Sequence, residues 1–189
     1  MKNSSALVVL ILMIGFALAA KAQDVTPRLE VYAGYDYMRN NATNDITHVP
    51  PSYSVNGNGG SGQLEFNATP RLGVVGDLGG YAVARNGLPT AHQISNLFGP
   101  RVNFRGGRVT PFAQVLLGAM WASDAIVLGS KTAFGTTAGG GIDVTVSRHF
   151  AVRPLQAEYF LTKFPDGANN RQNNFRYSAG IVFRFGDAM

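Results

Sequence analysis

Between residues 28 and 185 the chain switches between apolar and polar side chains at every second residue, in eight separate segments. A repeat of two is the spacing of a strand with one face buried. No comparable helical periodicity competes with it, so the predicted class is all-β. The first and last segments are the cleanest. Segment 28–38 sets Leu29, Val31, Ala33, Tyr35 and Tyr37 against Arg28, Glu30, Tyr32, Gly34 and Asp36. Segment 175–185 sets Phe175, Tyr177, Ala179, Ile181, Phe183 and Phe185 against Arg176, Ser178 and Arg184. The segments between them, 59–69, 72–84, 93–105, 110–122, 133–146 and 151–162, repeat the pattern with Phe66, Phe104, Trp121 and Phe134 on the apolar side. Glu65, Asp77, Arg101, Arg105, Asp143 and Glu158 stand on the other side. Pro154 is expected near a strand start or edge, because proline cannot donate to a ladder.

The connections also alternate. Short turns fall near residues 69, 107 and 148, and longer polar stretches at 40–55, 85–91, 123–131 and 164–173. Short turns on one side and longer loops on the other are the rhythm of an outer-membrane barrel. With eight strands, both chain ends fall on the short-turn side.

The N-terminus argues for export. Lys2 gives a positive start, residues 6–19 are almost wholly apolar, and Ala20-Lys21-Ala22 has the form of a cleavage site. Residues 1–22 are therefore expected to be a signal peptide and 23–189 the barrel domain. The apolar run is shorter than the ~20 residues of a spanning helix, and no later stretch is longer, so a membrane would have to be crossed by strands. The chain has 0 cysteines, which excludes disulfides, thiolate metal sites and a lipid-attachment cysteine. Its formal charge of +5 falls to +3 once Lys2 and Lys21 are removed, and no nucleic-acid partner is expected.

Alternation alone does not say which face is inside: a soluble lipocalin-like barrel buries its apolar face and a membrane barrel exposes it. Two patterns favour the membrane barrel. Gly34, Gly73, Gly79, Gly99, Gly118, Gly135, Gly139, Gly141 and Gly180 share the charged face, with Gly76, Gly80 and Gly140 as exceptions. Small residues there leave room for long neighbours in a narrow lumen. Aromatics on the apolar face gather near strand ends: Tyr35, Tyr37, Trp121, Phe134, Phe175 and Tyr177 toward the loops, Phe66, Phe104, Phe183 and Phe185 toward the turns. Two such girdles belong at two bilayer interfaces.

The segments VYAGYDYM, GPRVNFRGGRVTPFAQVLLGAMW, GGGIDV, AVRPLQAEYF and YSAGIVFRF, following a signal peptide, resemble the small outer-membrane barrels of the OmpA/opacity type across essentially the whole mature chain. The resemblance implies an eight-stranded antiparallel up-and-down transmembrane barrel in the outer membrane, without the peptidoglycan-binding domain of the longer relatives. It implies lipopolysaccharide and phospholipid as surroundings, and periplasmic chaperones and insertion machinery as assembly partners. Relatives usually end on an aromatic, whereas Gly186-Asp187-Ala188-Met189 follows Phe185 here.

The expected function is non-enzymatic, structural or surface-interacting, with Glu30, Asp36, Glu65, Asp77, Arg101, Asp143, Glu158, Arg176 and Arg184 forming a closed charged lumen in a monomer. A small-solute channel, a lipid A modifying enzyme and a periplasmic binder are the alternatives. The lipid A deacylase type carries His-x-Ser-Asn, but His92-Gln93-Ile94-Ser95-Asn96 has one residue more, which places His92 and Ser95 on opposite faces. Gly57 to Gly62 fits G-x-G-x-x-G but lacks a preceding apolar strand and a following helix. His48, His92 and His149 are too scattered for a metal site. No cofactor is expected.

Overall fold

Strands that alternate in polarity leave a row of backbone donors and acceptors at each sheet edge, and a closed ring of strands is the arrangement that removes both edges. The computed structural model takes this form. It describes residues 26–42, 53–85, 88–124, 129–164 and 171–187. The expected signal peptide and most of the expected long loop at 40–55 lie outside the described residues.

Eight antiparallel strands close a single barrel: β1 (Pro27–Ala42), β2 (Tyr53–Asn67), β3 (Leu72–Arg85), β4 (Leu88–Asn103), β5 (Val109–Asp124), β6 (Gly129–Ser147), β7 (Phe150–Thr162) and β8 (Gln172–Asp187). Each strand pairs with its sequence neighbour, and β8 returns to β1, with Glu30 opposite Arg184 and Asp36 opposite Ser178. Both described ends therefore lie on the side of the turns at 68–71, 104–108 and 148–149.

The strands are longer than the alternation predicts. They run from 13 residues in β7 to 19 in β6, against the ~9–11 needed to cross a bilayer. Residues 85–91, read as a loop, are mostly ladder, with β3 ending at Arg85 and β4 beginning at Leu88. Hydrogen bonding between strands needs no apolar side chain, so pairing continues past the point where the alternation fades. Asn40 lies opposite Val55 and Phe160 opposite Asn174 in these extensions.

Pro154 also lies elsewhere than expected. It sits inside β7, at a bulge: Arg153 pairs with Gly180 and Gln156 with Ser178, so β7 spends one residue more than β8. The same irregularity appears toward β6, where Ile142 pairs with Leu155 and Val144 with Val152. Pro154 and Leu155 both point outward, and the phase of the strand changes across them. Ala151 and Arg153 on one side of the bulge, and Gln156, Glu158 and Phe160 on the other, all reach the interior.

Deleting Leu155 removes the extra residue and restores strict alternation with Arg153 still inward, whereas deleting Ala157 from the regular part of β7 turns either Arg153 or Glu158 toward the outer surface. An arginine near the bilayer midplane costs about 2–4 kcal/mol and a carboxylate less, so folding yield into vesicles should fall severalfold or more for the Ala157 deletion, while the Leu155 deletion folds close to normally. Heat-modifiable gel migration measures both.

Candidate functional site: the ionic lumen

An eight-stranded barrel has an interior only wide enough for its own side chains. Whatever the inward positions carry must therefore pack together. Among the described residues six carboxylates point inward and are buried: Glu30, Asp36, Glu65, Asp77, Asp143 and Glu158. Arg101, Arg153, Arg176 and Arg184 are buried with them, and Arg105 reaches in from the turn side.

Near the turns, Glu30 accepts a hydrogen bond from Arg184 Nε at 3.0 Å, one from Asn67 Nδ2 at 3.0 Å and a charged contact from Arg105. Arg105 also donates to the Pro70 carbonyl, and Arg184 to Thr145 Oγ1. In the middle, Arg101 donates to Glu65 at 2.6 Å while Arg153 grips both oxygens of Asp143, at 2.7 and 3.0 Å. Both guanidinium groups lie over the Phe112 ring, Arg101 at 4.3 Å and Arg153 at 4.4 Å from its centre. Arg153 also lies over Tyr32 at 4.5 Å. A flat guanidinium can stack on a ring and still donate in its plane, which lets two like charges share one aromatic.

Toward the loops, Arg176 is 0% exposed and uses all three of its nitrogens. It donates to Asp77 Oδ1 at 3.0 Å and Oδ2 at 3.1 Å, to Glu158 Oε2 at 2.8 Å, and to the Tyr81 hydroxyl at 2.8 Å. Beside it pack Met38, Val75, Tyr81, Leu97, Leu116, Met120 and Phe160, an apolar cluster within the barrel.

Three glutamines join these groups into one network. Gln63 accepts from Arg101 and Arg153 and donates to Asp77 at 2.8 Å. Gln114 accepts from Arg101 and donates to Glu158, and Gln156 accepts from Arg153 and donates to Glu158. An amide, with an acceptor and a donor at its tip, can link an arginine to a carboxylate that the arginine does not reach.

The interior glycines receive the large rings. A Cβ at Gly34 would fall 1.9 Å from the Tyr32 hydroxyl, one at Gly79 2.2 Å from that of Tyr81, and one at Gly141 2.7 Å from the Phe112 ring.

All nine lumenal residues predicted from the sequence are buried, and eight of them take part in the network. Asp36 is the one that makes no ion pair. Arg28, assigned to the charged face, is exposed instead; at the turn-side end its charge reaches out and lies over the Phe66 ring at 5.6 Å. Arg153 was missed, because strict alternation backward from Gln156 places it outside. The predicted girdle residues Tyr35, Tyr37, Phe66, Phe104, Trp121, Phe134, Phe175, Tyr177, Phe183 and Phe185 all point outward. Tyr37 pairs with Tyr177, and Phe66 and Phe185 flank Leu29. His92 is exposed and Ser95 is buried, on opposite sides of β4, so they form no base and nucleophile pair.

An up-and-down barrel of eight strands, ionic within and apolar without, is the architecture of the small outer-membrane β-barrels, and the chain has that fold. Solved structures with it include Neisserial surface protein A, with a TM-score of 0.60 at 15% identity over 82% of this chain and 97% of that one. The outer membrane protein OprG of Pseudomonas aeruginosa matches with a TM-score of 0.54 at 9% identity over 85% and 97%. The N-terminal β-barrel domain of OprF from the same organism matches at 0.53, with 10% identity over 84% and 98%. No protein-family model and no curated protein sequence matches the chain.

Asp77→Asn leaves Arg176 with half of its carboxylate partners. Breaking a buried pair costs about 3–5 kcal/mol, and the loss should be much smaller when Arg176→Gln is already present. Urea unfolding in vesicles, followed through the single tryptophan Trp121, measures the coupling.

Proposed function

We propose that this chain is a non-enzymatic, monomeric integral protein of the outer membrane, with a closed lumen and a structural or surface-contact role in the envelope. The observation that carries the reading is the inversion of polarity across the barrel wall. Phe98 is 66% exposed and Leu78 60%, with Val74, Val115, Leu117, Leu155 and Ile181 also outward, while Arg101, Arg153 and Arg176 are 0–1% exposed. Water would penalise that outer surface, and hydrocarbon would not.

The lumen supports closure. Its central arginines are bound to carboxylates and amides and stacked on rings, so a passing ion would have to break several charged hydrogen bonds at once. The side chains of the network, in this reading, serve to fix the register of the strands around the ring. In this reading the apolar band is surrounded by phospholipid and lipopolysaccharide acyl chains. Periplasmic chaperones and the insertion machinery deliver the chain there, and an exported precursor with a cleavable signal peptide is its source. Contact with other molecules then belongs to the loop side, at the connections after β1 and β7.

Outer-membrane fractionation and heat-modifiable migration should both be positive, and planar-bilayer recordings should show no large steady conductance. A steady large conductance would refute the closed lumen; recovery in the periplasmic supernatant would refute the membrane location. Ile181→Arg should impair insertion far more than Arg184→Gln, since Ile181 faces outward, whereas Glu30, the carboxylate partner of Arg184, stays paired with Arg105 when Arg184 is replaced.

A further inference from the structure

The lumen is not electrically balanced. Among the described residues six inward carboxylates face five arginines, and every one of those arginines is engaged with Glu30, Glu65, Asp77, Asp143 or Glu158. Asp36 is the carboxylate left over. It is 0% exposed, and neither of its oxygens makes a hydrogen bond. The strand register gathers other unpartnered oxygens around it. Ser178 lies opposite Asp36 on β8, Ser61 lies opposite Gly34 on β2, and the Tyr32 hydroxyl rests over Gly34. The Ser61 and Ser178 hydroxyls flank the carboxylate without forming a hydrogen bond of normal geometry, and the Tyr32 hydroxyl likewise has no partner.

Five buried oxygens without partners, in one place, are a costly arrangement. An unpaired charge and unbonded polar atoms inside a protein are normally compensated by an ion, a proton or water. From this geometry we infer that the lumen binds one monovalent alkali cation, sodium-sized, held by the Asp36 carboxylate and the hydroxyls of Ser61, Ser178 and Tyr32. The charge balance sets the valence: one positive charge neutralises the lumen, and a divalent ion would leave it positive. The donor set is all oxygen, which suits hard cations. Among the described residues no three His, Cys, Asp or Glu side chains come together, which disfavours a transition metal. Arg176, the nearest cation, is committed to Asp77, Glu158 and Tyr81 and does not serve Asp36. The inference rests on the lumenal geometry and holds whichever compartment the barrel occupies.

The test uses the full folded protein in lipid nanodiscs, with sodium chloride replaced stepwise by N-methylglucamine chloride at constant ionic strength and pH. The heat-unfolding midpoint of the wild type should fall by about 5 °C as sodium is withdrawn, along a saturable curve. Asp36→Asn should abolish that dependence, and Ser178→Ala should raise the half-saturating sodium concentration several-fold. If Asp36→Asn does not fold, the wild-type titration and Ser178→Ala still decide. A wild-type midpoint indifferent to sodium, a dependence that survives in Asp36→Asn, or an unchanged half-saturation in Ser178→Ala overturns the site. So does a protonated-carboxyl infrared band in sodium that disappears in Asp36→Asn.

Discussion

Everything in this molecule depends on the closure of one hydrogen-bonded ladder, where β8 comes back to β1. With that seam paired from Leu29 opposite Phe185 to Arg39 opposite Phe175, no strand has a free edge. Closure also fixes the width of the interior. Eight strands enclose a space that side chains fill, so a large ring such as Tyr32 or Tyr81 requires a glycine beneath it, and an inward arginine requires a carboxylate within reach. The glycines and charges are consequences of one constraint on width.

The distribution of charge follows. Among the described residues six carboxylates are drawn inside, where each inward arginine meets acceptors in a low-dielectric surrounding. Buried ion pairs are poor sources of net stability compared with apolar packing. Their value here is positional, because each strand contributes groups that are satisfied only in the observed register. A slip of one residue would turn Arg176 or Asp77 outward and leave its partner unpaired. The apolar cluster around Leu97, Leu116 and Phe160 supplies ordinary packing on the loop side of Arg176, and Tyr81 joins the two by packing in the cluster while its hydroxyl accepts from Arg176.

The number of strands, their order and the polarity of each face were legible because the signal is local. In Phe175 to Phe185, for example, each residue declares its face by its neighbours two positions away. The outward girdle and the inward carboxylates follow from the same parity. Strand ends were not legible, since residues such as Asn40 and Asn174 pair without carrying any hydrophobic pattern. Arg153 was not legible either. Pro154 hints at a bulge, yet Pro100 and Pro111 sit within strands with no register shift, so proline by itself does not locate one. The stronger hint is that strict alternation would have left Arg153 facing outward among apolar side chains.

The amino-acid sequence by itself determined that this chain forms eight alternating strands with charges on one face and aromatics on the other, because a period of two is written into consecutive residues. The tertiary structure decided which charge meets which. Asp77 and Arg176 are joined across 99 positions of chain, Asp36 is left without a partner, and Phe112 is shared between two arginines. Those relations depend on the register and stagger of strands around a ring, and on one bulge that changes the phase of β7. No local pattern encodes a distance measured across the lumen.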